Sequence, residues 1–192
     1  MYIWGDIILK LKDILDEKDK RLKIISEDVV FPLEKQDFKL IDDMIEYLTN
    51  SQIEEVAEKL SLRPGMGMSA IQLGISKRYF VVVEEVYENE IQTFKNYIIV
   101  NPNIISYSEE LIYADMGEGC LSVNREVIGI VPRHARVTVE GYDINGKKIT
   151  IRAREEVSIA FQHEIDHLNG ILFFEHIDKK DPYKGENTMR AI

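Results

Sequence analysis

The 192-residue chain has one cysteine, Cys120, so no disulfide can form within it. That scarcity indicates a reducing compartment, and it leaves Cys120 either as a small core residue or as a reactive or metal-bound thiolate. The chain also lacks the run of ~18–20 apolar residues that a membrane-spanning helix needs. Asp6 interrupts the apolar start and no small-residue cleavage site follows. We therefore expect a cytoplasmic protein with no secretion signal and no membrane segment.

Positive charge is also scarce: 24 lysines and arginines stand against 34 aspartates and glutamates, a formal net charge of −10. A surface of that sign repels a polyanion, which argues against DNA binding and against general nucleic-acid binding. The chain has no internal repeat, low-complexity tract or linker. Its length and its composition, 45% hydrophobic and 30% charged, predict a single domain over residues 1–192.

The two ends look like additions to that domain. Apolar residues near the start recur at helical spacing and predict an N-terminal helical extension over residues 1–18. These apolar residues are Ile3, Ile7, Leu11, Ile14 and Leu15. Residues 179–192 form a polar tail, which we expect to be loosely held.

Between the ends, periodicity predicts helices over residues 35–52 and 155–168, the second ending at Asn169-Gly170. Proline and glycine predict a loop over residues 63–74. Apolar runs predict three strands, and alternation around Asn145-Gly146 predicts a hairpin with a type I′ turn. The strands cover residues 78–87, 92–101 (stopped at Asn101-Pro102) and 103–116, and the hairpin covers 135–153. Because hairpins pair antiparallel, we predict an α+β fold rather than βαβ units.

The stretch "QHEIDHLNG", residues 162–170, carries the strongest chemical signal. His163 and His167 are four residues apart, so both imidazoles lie on one face of the predicted helix. Glu164 follows the first histidine and can reach a water bound to a metal without ligating the metal itself. This is the H-E-x-x-H pattern of hydrolytic metal sites, although a pair of satisfied helix histidines is the alternative.

A catalytic metal needs a third protein ligand and an open coordination position. The longer motif H-E-x-x-H-x-x-G-x-x-H fails, because Phe173 stands where its last histidine should be. Glu186 lies downstream but in a turn-rich tail. Cys120, in "GEGCLSV", has glycine before it and a thiol that deprotonates readily beside a divalent cation. Once the histidine pair is accepted, Cys120 is the best third ligand.

Three motifs in order then resemble those of the peptide deformylases: "GMGMSAIQ", "EGCLS" and "QHEIDH". The resemblance runs from about residue 20 to residue 178, and Ser69 departs from the usual alanine. It implies mostly antiparallel sheets wrapped around a central helix that carries the H-E-x-x-H motif. Segment 84–113 and the short tail after residue 178 resemble the longer-loop branch of Gram-positive-type enzymes.

The resemblance also assigns a role to each matched residue. Cys120, His163 and His167 would hold one divalent cation, Fe(II) in the cell, with Zn(II), Ni(II) or Co(II) possible in the purified protein. The cation would lower the pKa of a bound water. Glu164 would take the proton of that water, and the resulting hydroxide would attack the formyl carbon of an N-formyl-methionyl peptide. Glu164 would then pass the proton to the leaving nitrogen, and formate would be released.

Other matched positions would bind the substrate. The side-chain amide of Gln72 and the backbone N–H of Leu121 would stabilise the oxyanion. The remaining candidates are Met66, Gly67 and Gly119 for the peptide backbone, and Ile159 and Ala160 for the methionine pocket. Simple core packing stays open as the alternative for Ile159 and Ala160.

Supporting residues and partners complete the prediction. Glu118 and Arg133 are the candidate pair that holds the ligands in place, and an unconnected surface carboxylate and a strand-edge arginine are the alternative. Asp166 is either a third partner or a solvated helix residue, and His134 and His176 are expected to be structural. We expect nascent peptides as the partner, with weak or transient ribosome contact at most. An H-E-x-x-H metallopeptidase and a non-catalytic metal-binding domain remain the alternatives, the first needing a third His or Glu ligand and the second four protein ligands.

Overall fold

A computed structural model describes residues 9–192 of the chain. Within that range the helices are α1 (Lys35–Ser51), α2 (Glu54–Leu60) and α3 (Glu155–Leu168). The strands are β1 (Gly67–Ser69), β2 (Tyr79–Glu88), β3 (Ile91–Tyr107), β4 (Leu111–Tyr113), β5 (Arg133–His134), β6 (Arg136–Tyr142), β7 (Lys148–Arg154) and β8 (Arg190–Ala191). Short 3-10 helices join several of them, including Ala70–Leu73 between β1 and β2.

The strands form two sheets. The larger sheet has the order β1-β2-β3-β6-β7 and is antiparallel throughout. The smaller sheet has the order β5-β4-β8, in which β4 and β5 are antiparallel and β4 and β8 are parallel. The α+β prediction with mainly antiparallel pairing is therefore confirmed.

Helix α1 covers one side of the larger sheet, where it contacts β2 and β3. Its apolar stripe is buried at Ile41, Met44 and Leu48, which are spaced by three and four residues. Phe38, at the same helical spacing but near the start of the helix, stays 37% exposed. The predicted helix over residues 35–52 is confirmed within one residue.

Helix α3 contacts β1, β2 and β7 of the larger sheet and β5 of the smaller one. Contacts on several sides explain why 11 of its 14 residues are buried, including the polar His163, Glu164 and His167. Phe161 and Leu168 are fully buried. The helix ends at Leu168, and Gly170 follows at φ +75°, where a Cβ atom would lie 2.7 Å from the carbonyl oxygen of Lys23. Only glycine meets both conditions, so the predicted end of this helix is confirmed.

The structure corrects three local predictions. Strand β3 does not stop at Asn101-Pro102 but continues to Tyr107 through a register shift between Val100 and Asn103. A bulge lets proline, which has no N–H, remain within a strand. The predicted loop 63–74 contains β1 and a 3-10 helix. At the β6–β7 hairpin only Gly146 has a positive φ, so the turn is not type I′.

The ends also differ from the prediction. Residues 1–8, which carry half of the predicted N-terminal helix, lie outside the described residues. The described part, residues 9–18, contains one 3-10 turn, Leu11–Asp13, rather than a helix reaching Leu15. The tail is not loose, because β8 pairs with β4 and Arg190 forms ion pairs with Glu110 and Glu155. Among residues 9–192, no helix has the length and apolar character needed to cross a bilayer.

Candidate metal centre and active site

Helix α3 and the segment after β4 bring three potential metal ligands together. His163 and His167 lie on one face of α3, and their ring centroids are 4.9 Å apart. Cys120 faces them, with its Sγ atom 3.1 Å from Nε2 of His167. The ligand atoms of the three residues all lie within 4.8 Å of one another. The structure thus assembles the predicted sulfur and two nitrogens at one point.

A buried charge network orients His163. Its Nδ1 lies 2.7 Å from Oε1 of Glu118, which leaves Nε2 as the free ring nitrogen. Arg133 donates from Nη2 and Nε to both oxygens of Glu118, at 2.7 and 3.0 Å. Both side chains are less than a tenth exposed. The structure therefore contains the Glu118–Arg133 pair that the sequence suggested, as a buried ion pair.

The network continues from Arg133 towards the surface. Nη1 of Arg133 donates to Oδ2 of Asp166 at 2.5 Å, and Nε2 of His176 lies 2.7 Å from the same oxygen. Asp166 is therefore a partner of Arg133 rather than a solvated helix residue. His176 also belongs to this network, although no pattern in the sequence placed it there. His134 lies apart, stacked on the ring of Tyr107 at 4.2 Å.

Burial and charge shift the pKa values of the central groups in the absence of a cation. Burial raises the pKa of Cys120, but His167 and His163 outweigh it and hold the pKa well below its usual value. Burial likewise raises the pKa of Glu118, while the hydrogen bond from His163 and the charge of Arg133 bring it to about 2. Lowered pKa values favour the ionised forms of the thiol and the carboxyl group, which are the forms suited to a site for a cation.

Glu164 lies beside this centre with its carboxylate packed against backbone. Burial raises its pKa to about 7, partly offset by the neighbouring His163 and His167. Its Oε2 atom is buried without a hydrogen-bond partner in the described chain. A Cβ atom on Gly67 would lie 2.4 Å from Oε1 of Glu164, so only glycine allows β1 to pass this close. The carboxylate of Glu164 is thus held next to the three potential metal ligands, and its Oε2 accepts no hydrogen bond from the described residues.

The side-chain amide of Gln72 has a defined orientation. Its Oε1 accepts hydrogen bonds from the backbone N–H of Ser69 at 2.9 Å and from the Ser69 hydroxyl at 3.2 Å. Its Nε2 therefore points the other way, 3.6 Å from Sγ of Cys120 and 3.2 Å from Oγ of Ser122. Ser69, which replaces the usual alanine, thus hydrogen-bonds to Gln72 through its hydroxyl. The side-chain N–H groups of Gln72 face the metal centre.

An open cavity of about 500 Å³ leads to these groups. Its wall includes every substrate-binding residue that the sequence suggested, together with both oxyanion candidates. These residues are Met66, Gly67, Gln72, Gly119, Leu121, Ile159 and Ala160. A Cβ atom on Gly119 would meet nothing within 4 Å, so this backbone faces open space.

Neither rival motif supplies a third ligand at this centre among residues 9–192. Phe173, which replaces the last histidine of the longer motif, is buried and stacks its ring on His163 with centroids 5.9 Å apart. Glu186 begins an exposed 3-10 turn in the tail and is not part of the group of ligand atoms.

Sequence reasoning missed several residues of the cavity wall. Glu156 lies seven residues before His163, which places it on the same helix face, so its spacing was a usable signal. Arg63 and Ile192 come from a loop and from the tail, and no pattern in the sequence linked either to the histidines. Only the fold brings them to the cavity.

These residues fit a bound cation, since a thiolate and two imidazoles are zinc- and iron-type donors. Oε2 of Glu164 is buried without a protein partner, as expected where a water completes the site. The class that the geometry defines is therefore a metal-dependent hydrolase with a Cys-His-His centre.

Comparison with known proteins agrees with that class. The family model described as polypeptide deformylase matches residues 11–183. Peptide deformylase 2 of Bacillus anthracis is 46% identical over 185 residues, covering 96% of this chain and 99% of the relative. The peptide deformylase of Halalkalibacterium halodurans is 47% identical over 182 residues, covering 93% and 97%. A crystal structure of an Acinetobacter baumannii peptide deformylase bound to Met-Ala-Ser has a TM-score of 0.66 at 28% identity, covering 85% and 96%.

The chain belongs to the peptide deformylase family. Members of this family are metal-dependent hydrolases that remove the formyl group from the N-terminus of newly made polypeptides. The relatives come mostly from Gram-positive bacteria, as segment 84–113 and the short tail after residue 178 suggested.

Proposed function

We propose that this chain hydrolyses the formyl amide of N-terminal formyl-methionine, with one cation held by Cys120, His163 and His167. The observation that carries the proposal is the clustering of these three ligand atoms within 4.8 Å, beside the open cavity. Met-Ala-Ser, the tripeptide bound by the Acinetobacter relative, is the deformylated product of formyl-Met-Ala-Ser.

We propose Fe(II) as the cation in the cell, because a thiolate with two imidazoles accepts a softer divalent ion; Zn(II), Ni(II) and Co(II) suit the same donors. When bound, it would supply Lewis acidity that lowers the pKa of water and polarises the formyl carbonyl. Helix α3 is then the central helix of the catalytic domain, and both sheets contact it.

Glu164 acts as the general base and then as the general acid. It accepts a proton from the attacking water and later gives it to the nitrogen of the leaving amine. Its buried, partnerless Oε2 and its raised pKa of about 7 support this double role. A carboxylate with a pKa near the working pH holds and releases a proton with little cost in either direction.

Gln72 and Leu121 stabilise the charge that develops on the formyl oxygen. Nε2 of Gln72 faces Cys120, and the N–H of Leu121 donates to no acceptor in residues 9–192. Removal of one such donor typically costs about 2.7–4 kcal/mol of transition-state stabilisation.

The peptide lies extended along the cavity wall. The backbones of Met66, Gly67 and Gly119 hold the substrate main chain, and Ile159 and Ala160 line the pocket for the methionine side chain. Strand-like binding of this kind supplies main-chain hydrogen bonds that do not depend on the side chains of later residues. Such a site accepts many nascent chains.

The test is formate release from formyl-Met-Ala-Ser by protein purified without oxygen and loaded with iron. Glu164→Ala should retain its metal and release almost no formate. Normal turnover by that variant would refute the assigned base. Cys120→Ala should lose both metal and activity. A peptidase with a different third ligand would keep its activity in this variant. A non-catalytic metal-binding domain would release no formate even as the wild-type protein.

We also propose that the enzyme works in the cytoplasm as one catalytic domain and meets ribosomes only weakly. The formal net charge of −10 gives little attraction for RNA. Cosedimentation with ribosomes at rising salt tests this, and a tight, salt-sensitive complex would contradict it.

A further inference from the structure

Arg63, just before β1, holds the segment that carries Cys120 and Leu121. Its Nη2 atom donates to the carbonyl oxygens of Cys120, at 3.0 Å, and of Leu121. Its Nη1 atom donates to the carbonyl of Val123 at 3.1 Å and to Oδ1 of Asn124 at 2.9 Å. No ion pair to a carboxylate engages this guanidinium within the described chain, so its hydrogen bonds all go to one segment.

That segment needs an external donor. Residues 118–124 belong to no helix or strand, so their carbonyl groups have no ladder partners. The N–H of Glu17 binds the carbonyl of Ser122 at 2.7 Å, and the N–H of Val123 donates to the carbonyl of Cys120 at 3.1 Å. Arg63 is the second donor to the carbonyl of Cys120 and donates to the carbonyls of Leu121 and Val123. A charged donor makes stronger hydrogen bonds than a neutral one.

The contact with Cys120 has a geometric consequence for catalysis. The carbonyl of Cys120 and the N–H of Leu121 are the two ends of one planar peptide group. The guanidinium and the N–H of Val123 hold the oxygen at one end from two directions, which fixes the direction of the N–H at the other end. A cationic hydrogen bond to the oxygen also polarises the group, which strengthens the N–H as a donor.

We propose that Arg63 is a positioning residue that aims and strengthens the Leu121 N–H towards the formyl oxygen. The inference rests on the proposed function, in which that N–H stabilises the developing charge. Arg63 touches no reacting atom in this account and acts only through the peptide between Cys120 and Leu121.

Arg63 is itself held by helix α1. Its carbonyl accepts a hydrogen bond from the hydroxyl of Tyr47 at 3.3 Å, and the N–H of Gly65 donates to Oγ of Ser51 at 3.3 Å. Tyr47 and Ser51 are both buried on α1. The last turns of α1 are thus a fixed base from which the guanidinium reaches the catalytic segment, and lysine cannot reproduce its planar fork.

The experiment compares Arg63→Met, Arg63→Lys and the control Arg125→Met in iron-loaded enzyme. Arg125 is an arginine on the loop that carries Cys120 and Leu121. It pairs with the side chain of Glu17 and binds no carbonyl of residues 118–124. We expect kcat of Arg63→Met to fall about 10–100-fold, because the Leu121 N–H would be misdirected rather than removed as an oxyanion donor. KM should stay within about threefold of the wild-type value. Arg63→Lys should recover part of the loss, and Arg125→Met should keep kcat within about twofold.

A second readout does not depend on turnover. In zinc-loaded protein labelled with [¹⁵N]leucine, the Leu121 amide peak is identified by its absence in Leu121→Ile. It should shift or broaden in Arg63→Met and stay in place in Arg125→Met. A purely structural role would lower the thermal midpoint but leave both the peak and the kcat of folded enzyme unchanged.

Each outcome decides the inference. Wild-type kcat in Arg63→Met, or an unmoved Leu121 peak, overturns it. If Arg63→Met does not fold, Arg63→Lys is judged by the same two measurements, and wild-type values in both overturn the proposal. If the wild-type enzyme releases no formate, the proposed function fails, while the Leu121 peak still reports whether Arg63 holds the peptide.

Discussion

The absence of a side chain at Gly67 leaves space for the carboxylate of Glu164, the proposed base. A Cβ atom there would lie 2.4 Å from Oε1 of Glu164 and 2.9 Å from its Cγ. We expect Gly67→Ala to push the carboxylate away from its position and to lower kcat by at least about tenfold, since small misplacements of a catalytic group are costly. Steady-state kinetics with metal analysis checks this, because the metal content should be unchanged. Unaltered kcat would show that Glu164 has more freedom than its packing indicates.

Ser69 offers a contrasting case at the same scale. Its backbone N–H and its hydroxyl both hold Oε1 of Gln72, at 2.9 and 3.2 Å. Ser69→Ala removes only the hydroxyl, so the backbone still orients the amide and kcat/KM should stay within about threefold of wild type. Gln72→Ala removes the donor itself and should cost about 10²–10³ in kcat. A loss in Ser69→Ala as large as in Gln72→Ala would mean that the hydroxyl, and not the backbone N–H of Ser69, orients the amide.

At the scale of elements, the buried ion pairs of Arg133 connect β5 to α3 and to the segment after β4. Arg133 is 3% exposed, and the side chains of Glu118 and Asp166 are 7% and 15% exposed. Arg133→Met removes the cation from the buried carboxylate of Glu118 and from the half-buried one of Asp166, and loss of one partner from a buried network typically costs about 3–5 kcal/mol. We expect a loss of that size in urea unfolding, together with weaker metal retention because Glu118 no longer holds His163 firmly.

Arg125→Met is the matched control for this prediction as well. Arg125 is 52% exposed and pairs with Glu17 at the surface, an interaction typically worth about 0–1 kcal/mol. If Arg133→Met cost no more than Arg125→Met, the buried network would be contributing little to stability.

The same scale shows how far the sequence predicts the elements. The apolar periods of α1 and α3 follow from local spacing, and both helices end within a residue or two of where they were expected. The passage of β3 through Pro102 was not predictable. Its bulge is held by the side chain of Asn101, which bonds both backbone groups of Val29, 72 residues away. Contacts that distant leave no trace in a local pattern.

For the whole molecule, a cation would tie α3 to the segment after β4. Because the ligands meet only in the folded chain, binding adds to the free energy of unfolding by about 2.7 kcal/mol at a hundredfold excess over Kd. For a chain of this size that is roughly 5–11 °C in Tm. We therefore expect Ni(II) to raise the Tm of chelator-treated protein by this amount.

Cys120→Ala is the matched variant for that measurement. It removes one of the three donors, so the shift caused by Ni(II) should shrink to a degree or two while the metal-free Tm changes little. A full shift in Cys120→Ala would place the ion elsewhere on the protein and would contradict the assigned ligands.

The sequence by itself determined the groups whose chemistry is local. These are a helix with two histidines four residues apart and a glutamate directly after the first, a lone cysteine among glycines, and a glutamine after a glycine-rich turn. Helical spacing and motif order are properties of neighbours along the chain, so they can be read without a fold. Only the tertiary structure decided that His176 and Asp166 extend the Glu118–Arg133 pair, and that Arg63 reaches the peptide behind Leu121. Those contacts join residues that are far apart in sequence, and packing of α1, α3 and the two sheets brings them within hydrogen-bond distance.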